Sequence, residues 1–581
     1  MNIFELVTRY FPYLYAVRKR AILTGALVLT EPLVAVALIW LGKELTDQVL
    51  VGRKVDLLPI FAAAFIGVSG LKVGLDYATT RLEASVVESI FQAIRIDLYR
   101  HLLRVSPGSL GKRSVGDLLA HLSDDVERME LLVFTGIIAV VSDLATVVFF
   151  VIFLSVLSWK LTLCALLVLP ILVFASLRLS PRVRRAARIG RHRATAWMSL
   201  SEERLGAAAI IHSFGAQETE VRLFSARLDV ARAAELRTVR IQAWLSVVIE
   251  TAVAVGGLLV FTLGAYEILY GNLTLGTLVA FAGSIGSLYD PARGLAKASG
   301  RFQRGAAAAQ RVGDLFDTPS LVVERPSAPP LVNVKGALEF RDVHFAYQRG
   351  TEVIKGISLK TEPGEMLAVV GPSGSGKSTL VQLAQRLYDP SEGAVLLDGQ
   401  DLREVTTESV RRAVAVVFQE AFLFRGTIAD NIRYGEPDAP EERVSAMGRA
   451  AYVDSFLAGR PGGYNAPVGS RGAWLSAGQR QRVGLARALM RDAPLLILDE
   501  ATASVDTETE ELIQDAVERF AGRQTILVIA HRLSSIQRAD RVVVVDQGRV
   551  VETGSPTFLL QTASRCRDLF AAQLIGEKAV A

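Results

Sequence analysis

Cysteine is nearly absent. Cys164 and Cys566 are the only two in 581 residues, and they stand far apart. That excludes a disulfide framework and a cysteine metal site. A large excess of one charge is missing too: the formal net charge is +5. Nucleic acid is therefore not implied, and arginine at a membrane surface accounts for the basic balance. The first residues lack the basic, apolar, small-residue order of a cleavable secretory signal, so none is expected. The chain also lacks the low charge content of a wholly membrane-embedded protein, since 21% of residues are charged while 51% are hydrophobic. Mean hydropathy is nonetheless +0.34. An apolar part joined to a soluble part fits these values, and the length suits two or three domains.

Six apolar stretches precede residue 300, at about 21–41, 58–77, 134–157, 161–177, 243–263 and 275–288. About 20 helical residues cross a hydrocarbon core of about 30 Å. Most of the stretches reach that length; the sixth does so only if it extends past Leu288. The connections 42–57, 158–160 and 264–274 are short, whereas the second and fourth are long and basic. Arg182, Arg184, Arg185, Arg188, Arg191 and Arg193 crowd the start of the fourth. The positive-inside rule then places the long loops and both termini in the cytoplasm. Residues 82–105 and 183–240 carry helical patterning with neither proline nor a glycine cluster inside, so they continue the membrane helices outward. The Asn272-Leu273-Thr274 sequon reads as chance. Residues 2–15 mix Phe4, Leu6, Phe11 and Leu14 with polar residues, which suits an amphipathic helix in the interface; extension of the first membrane helix is the alternative. Pro32 and Pro291 mark expected kinks. Glu31, Asp143, Glu250 and Asp290 fall in or near the spans. Each needs a cavity, a cationic compound or a partner such as Lys43 or Lys72.

Prolines in 319–330 end the helical part and favour an extended linker. Short β-rich strings then alternate with helical ones, the pattern of an α/β nucleotide domain. The boundaries are 1–20 for the interfacial helix, 21–316 for the transmembrane domain with six helices, 317–335 for the linker and 336–575 for the α/β domain.

The chemistry lies in that last part. The strand-like run 365–370 leads at once into Gly371-Pro372-Ser373-Gly374-Ser375-Gly376-Lys377-Ser378-Thr379. This is the phosphate-binding pattern GxxxxGK[ST], whose backbone N–H groups wrap phosphates while Lys377 adds positive charge and Ser378 ligates Mg²⁺. The run 495–498 is a second buried strand, ending in Asp499, placed to hold Mg²⁺, and Glu500, placed to polarise the attacking water. Gln419 follows the run 414–418 and suits both Mg²⁺ and water. His531 ends 525–530 and reaches toward a γ-phosphate; Tyr347 follows 338–344 and suits stacking on adenine. Leu475-Ser476-Ala477-Gly478-Gln479 precedes a helix expected to start near Arg480, a setting that suits an anion.

With these motifs in this order, nearly the whole chain resembles a half-transporter of the ABC exporter-fold superfamily, multidrug and lipid exporters included. The resemblance implies an all-α six-helix transmembrane domain followed by an α/β ATPase domain. It implies ATP and Mg²⁺, and head-to-tail pairing with a second subunit. Ser476, Gly478 and Gln479 would then contact ATP held by Lys377 of the partner, and Asp506 would lie across the dimer. Arg349 and Arg411 are further nucleotide candidates. Gly116-Asp117-Leu118 and Asp124-Asp125 in one loop, and residues 214–218 in another, resemble the family's coupling helices. The chain departs from the family's pattern at Ala477, which replaces a glycine, and at Ser470, which replaces a glutamate. Glu500 and His531 match a hydrolytic site, which favours a homodimer over a heterodimer. The reading is an ATP-driven transporter in the bacterial inner membrane with its ATPase domain in the cytoplasm. It exports or flips a lipid-like or hydrophobic compound by alternating access and has no nucleic-acid partner. Import of a siderophore-like cargo, a nucleotide-gated channel and a soluble ABC ATPase are the alternatives.

Overall fold

A computed structural model describes residues 3–110, 113–132, 138–347, 350–500 and 505–571. The chain divides into two compact units, residues 1–102 with 113–317, and residues 103–112 with 318–581.

Among its described residues the first unit holds helices joined by short connections and no strand. Its elements are α1 (Ile3–Ala16), α2 (Arg18–Glu44), α3 (Leu58–Arg104), α4 (Val115–Ala120), α5 (Val126–Leu132), α6 (Ala139–Leu157), α7 (Trp159–Leu166), α8 (Val168–Gly206), α9 (Ala208–Ser213), α10 (Gln217–Leu269) and α11 (Leu275–Phe316). Among the described residues, five helical stretches are long and apolar enough to cross a membrane: Arg18–Val51, Val55–Arg104, Ala139–Leu157, Trp159–Gly206 and Gln217–Leu269. Four of these exceed 30 residues, so about 1.5 Å of rise per residue carries them well past the hydrocarbon core, as the unbroken patterning predicts. The sixth stretch does extend past Leu288, into the 42-residue α11, but it does not join those five by apolarity. The short connections are shorter still than the sequence suggests. The π-helical turn Leu45–Val51 prolongs α2, Ser158 alone separates α6 from α7, and α10 continues to Leu269. Pro32 and Pro291 lie inside continuous helices.

Polar contacts fix the ends of these helices. Asp47 accepts from Thr274 Oγ1 and the Gly276 N–H, both at 2.8 Å, while Thr274 caps α11. Lys160 Nζ and Asn272 Nδ2 donate to the buried Glu267 at 2.7 and 2.9 Å. The sequon residues Asn272 and Thr274 thus hold the 270–274 turn. At the other end, Asp125 is buried and accepts from Arg311 Nε at 2.8 Å and Nη2 at 2.5 Å, with His121 Nδ1 at 2.7 Å. Burial opposes ionisation of Asp125, but Arg311 and His121 outweigh it and hold the carboxyl below its ordinary value. Helix α1 is separate from α2, broken at Val17, and one face docks: Arg9 pairs with Asp317, Tyr10 donates to Ala309 O and Tyr13 to Asp97. Phe11, Leu14 and Tyr15 remain exposed. Of the acidic residues, Glu31 lies beside Thr79, Asp76 and Lys72, Asp290 pairs with Arg293 at 3.3 Å, and Glu250 is exposed. Lys43 pairs with Glu44 and Asp47.

The second unit is α/β. Its strands are β1 (Leu338–Phe345), β2 (Ile354–Lys360), β3 (Met366–Val370), β4 (Glu392–Leu397), β5 (Gln400–Asp401), β6 (Val414–Val417), β7 (Leu495–Asp499), β8 (Thr525–Ile529), β9 (Arg541–Asp546) and β10 (Arg549–Gly554). Its helices include α12 (Lys377–Ala384), α13 (Thr407–Ala413), α14 (Ile428–Arg433), α15 (Glu441–Ala450), α16 (Ala477–Met490) and α17 (Thr507–Glu518). A six-stranded sheet runs β10-β9-β3-β8-β7-β6, parallel except for β10. An antiparallel sheet runs β2-β1-β4-β5. Strands β3 and β8 are buried along their whole length, as expected where parallel strands are covered on both faces. Met366, Ala368 and Val370 join one core, while Leu367 and Val369 join the other.

Candidate active site

The parallel strands deliver the motif residues to one edge. The 371–376 loop follows β3, Gln419 follows β6, Asp499 ends β7 with Glu500 next, and His531 follows β8. These are the carboxyl ends of neighbouring strands in one sheet, where α/β folds bind ligands.

The phosphate loop needs its glycines. Gly371 has φ 154°, and a side chain there would overlap the Val545 carbonyl; Gly376 has φ 107°, and a Cβ would lie 2.6 Å from Ile354 Cδ1. Helix α12 begins with no side-chain cap, leaving its first N–H groups for a ligand. Ser375 Oγ is buried and has no hydrogen-bond partner. An orphaned donor, uncapped N–H groups and a buried lysine together fit a polyphosphate. Lys377 Nζ donates to Gly371 O and Pro372 O, both at 2.9 Å. Burial pulls its ammonium below the ordinary value, against the attraction of Glu500 and Asp499.

Asp499 and Glu500 diverge in surroundings. Burial, with Glu500 next in weight, raises the Asp499 carboxyl, and Ser378 Oγ lies 3.5 Å from its Oδ1. Glu500 sits at φ 50°, in the left-handed region that non-glycine residues rarely adopt. Its two oxygens have separate partners: Gln419 Nε2 at 2.7 Å on Oε2 and His531 Nε2 at 2.7 Å on Oε1. Three residues named from three separate strands therefore meet. Tyr347 presents an exposed ring, with its hydroxyl donating to Gln382 Oε1 at 2.7 Å and 3.1 Å from Thr379 Oγ1.

The LSAGQ element differs from expectation in its helix start. α16 begins at Ala477, not near Arg480, because Ser476 and Gln479 form a capping box: Ser476 Oγ accepts from the Gln479 N–H at 3.2 Å, and Gln479 Oε1 from the Ser476 N–H at 3.0 Å. Gly478 and Gln479 thus lie in the first turn. A Cβ on Gly478 would lie 2.6 Å from Thr509 Cγ2, so the glycine lets α17 approach. Asp506 caps α17, accepting from the Thr509 N–H at 2.9 Å, and that bond leads in lowering its carboxyl. Residues 501–504 and Arg349 fall outside the described residues. Arg411 lies on α13, where its carbonyl accepts from Arg491, and no described hydrogen bond or ion pair ties its side chain to the phosphate loop.

Other residues escaped the sequence reading. Gln481 Nε2 donates to Gln419 O at 2.7 Å and Phe418 O at 3.2 Å, tying that loop to α16. Arg487 Nη1 donates to Phe422 O and its Nη2 to Asn431 Oδ1. Beside them Gln419, Phe422, Ser470, Arg471, Ala477 and Arg480 line a cleft of about 500 Å³. Their only sequence signal is a place near a motif. The coupling assignment in the first long loop also changes. Gly116-Asp117-Leu118 fall on α4 in the first unit and Asp125 is committed to Arg311, whereas the segment grouped with the ATPase unit is 103–112. In the other loop Phe214 is exposed at the turn between α9 and α10.

Comparison with known proteins fits this geometry. Residues 22–291 match the ABC transporter transmembrane region and residues 354–503 the ABC transporter ATPase family. The chain is 34% identical to an ATP-dependent lipid A-core flippase of Desulfotalea psychrophila, covering 92% of this chain and 93% of the relative. It is 32% identical to a multidrug efflux ATP-binding/permease protein of Mycobacterium bovis, covering 96% of this chain but 47% of the relative. Among solved structures, a bacterial Atm1-family ABC exporter with ATP bound aligns with a TM-score of 0.80 at 28% identity, over 96% of this chain and 98% of that one. A membrane region fused to an ATPase unit with all the strand-end residues in place has one reading: the chain belongs to the ABC exporters, multi-pass membrane proteins that couple ATP hydrolysis to transport.

Proposed function

We propose that two copies of the chain form one transporter, with each ATP held between the phosphate loop of one copy and the LSAGQ element of the other. The observation that carries this is a site divided within the chain. Among the described residues no hydrogen bond joins 475–479 to 371–379, and Ser476 stands exposed at the start of α16. Each half offers N–H donors suited to an anion, and neither completes the other. A relative of about twice this length supports pairing of two such chains. Identical copies suffice, because Glu500 and His531 are both present in this one.

Lys377 and the N–H groups of 371–379 hold the phosphates, and Tyr347 stacks on the base. Ser378, Gln419 and Asp499 are hard oxygen donors that fit Mg²⁺, and burial plus Glu500 leave Asp499 short of positive charge. Mg²⁺, when bound there, neutralises charge on the phosphates. Glu500, fixed by Gln419 and His531, orients the attacking water and receives its proton. Asp506 completes the interface between copies. Closing and reopening of the pair drives alternating access in the cell membrane, with the ATPase units cytoplasmic. The cargo is a lipid-like or hydrophobic compound, which the flippase relative supports.

The pairing is tested by cross-linking Ser373→Cys/Ala477→Cys protein, with Cys164 and Cys566 replaced by alanine, using a short bis-maleimide. ATP should bring about a covalent species of twice 62.9 kDa. A bridge confined to single chains, with none between chains, contradicts the proposal.

A further inference from the structure

The turn after α12 ties three parts of the ATPase unit together. Arg386 is 1% exposed; its Nη1 donates to Val405 O at 2.7 Å, its Nη2 to Val323 O at 3.3 Å and its Nε to Asp389 at 3.2 Å. This fastens the chain around Val323 to the turn. Two residues along, the same strap holds the 103–112 loop: the Ser106 N–H donates to Ser320 Oγ at 3.2 Å, and the Leu321 N–H to Ser109 Oγ at 2.7 Å and Ser106 Oγ at 3.2 Å.

Tyr388 occupies the space so created. Its ring stands edge-on to Tyr347 at 5.3 Å and to Phe345 at 5.4 Å. On the loop side it meets Gly108, where a Cβ would lie 2.6 Å from both Cζ and Oη of Tyr388. Tyr347 in turn reaches Gln382 and Thr379, on the helix that starts in the phosphate loop. A line of direct contacts therefore runs from Gly108 through Tyr388 and Tyr347 to Thr379.

We propose that Tyr388 is a positioning residue that couples nucleotide base binding at Tyr347 to the seating of the 103–112 loop, through its contact with Gly108. The proposal rests on the reading of Tyr347 as the adenine-stacking residue. A base stacked on Tyr347 limits where that ring stands, which limits Tyr388, and Tyr388 fills the place that Gly108 leaves open. Such coupling is reciprocal: what displaces the loop weakens ATP binding, and ATP steadies the loop.

The test uses the full chain in lipid nanodiscs, comparing KM and kcat for ATP in wild type and Gly108→Ala. Displacing Tyr388 toward Tyr347 should raise KM about fivefold or more while kcat stays within about twofold. A packing role alone would lower the amount of active protein and leave KM alone; an unchanged KM overturns the proposal. If Gly108→Ala does not fold, tryptic cleavage at Arg104 and Arg113 decides, measured in Ser476→Arg protein so that pairing of copies does not shield the loop. Saturating ATP should slow cleavage and inorganic tripolyphosphate, which lacks a base, should not. Equal protection by both, or none from ATP that is shown to bind, refutes the relay. Failure of ATP to bind wild-type protein at all would instead remove the adenine reading beneath it.

Discussion

Replacing Glu500 by glutamine probes the chemistry with the least disturbance of shape. The carboxylate accepts from Gln419 on one oxygen and meets His531 on the other, each at 2.7 Å. An amide keeps one acceptor oxygen, turns the second position into a donor and removes the negative charge. A positioned general base contributes about 10²–10⁴ in rate, or about 2.7–5.4 kcal/mol at 1.36 kcal/mol per decade. Glu500→Gln should therefore lower kcat by at least about a hundredfold. The residues assigned to hold the nucleotide, Lys377, Tyr347 and the 371–379 N–H groups, are untouched, so the Kd for ATP should change less than about threefold. Steady-state hydrolysis and equilibrium binding of a fluorescent ATP analogue give the two numbers. Hydrolysis within about threefold of wild type, or binding lost in step with kcat, would refute the assignment of Glu500 as the base.

Two further outcomes follow from the same structure. Gly371→Ala should abolish ATP binding and lower stability, because a methyl at φ 154° overlaps the Val545 carbonyl between β3 and β9; calorimetry with and without ATP checks both. Asp125→Asn should destabilise the membrane unit by about 2–3 kcal/mol, below the usual cost of breaking a buried pair because Arg311 is 42% exposed. His121, Arg311 and Arg128 face Asp125; burial opposes its ionisation, but Arg311 and His121 outweigh that and hold its carboxyl below the ordinary value. Its stabilisation is thus complete above about pH 4 and is lost as pH falls through the lowered folded value. Thermal unfolding of wild type and variant should converge in strong acid and differ at neutral pH.

The parts legible in the sequence are those written in consecutive residues. Strand, glycine loop and lysine follow one another at 366–377, and apolar runs ending in Gln419, Asp499 and His531 mark strand ends directly. Long helices are legible because α3, α8 and α10 contain no interior break signal strong enough to stop them. What escaped depends on pairs far apart in the chain. Asp47 with Gly276, Lys160 with Glu267, and Asp125 with Arg311 meet only once the helices pack. Gln481 and Tyr388 are ordinary residues until folding sets one against the Gln419 carbonyl and the other against Gly108. The start of α16 escapes the sequence for a local reason: the capping box between Ser476 and Gln479 brings the first helical turn forward to Ala477. The resemblance points to the first long loop as a whole, whereas packing groups 103–112, not 116–118, with the ATPase unit.

Whether ATP hydrolysis by this chain drives a hydrophobic compound across the membrane is tested in inside-out proteoliposomes carrying a fluorescent lipid-like probe. Wild-type protein should move the probe to the lumenal leaflet or interior when ATP and Mg²⁺ are added outside, and Glu500→Gln protein should not. Equal movement by both proteins, movement in the opposite direction, or an ATP-gated ion current that persists in Glu500→Gln would contradict it.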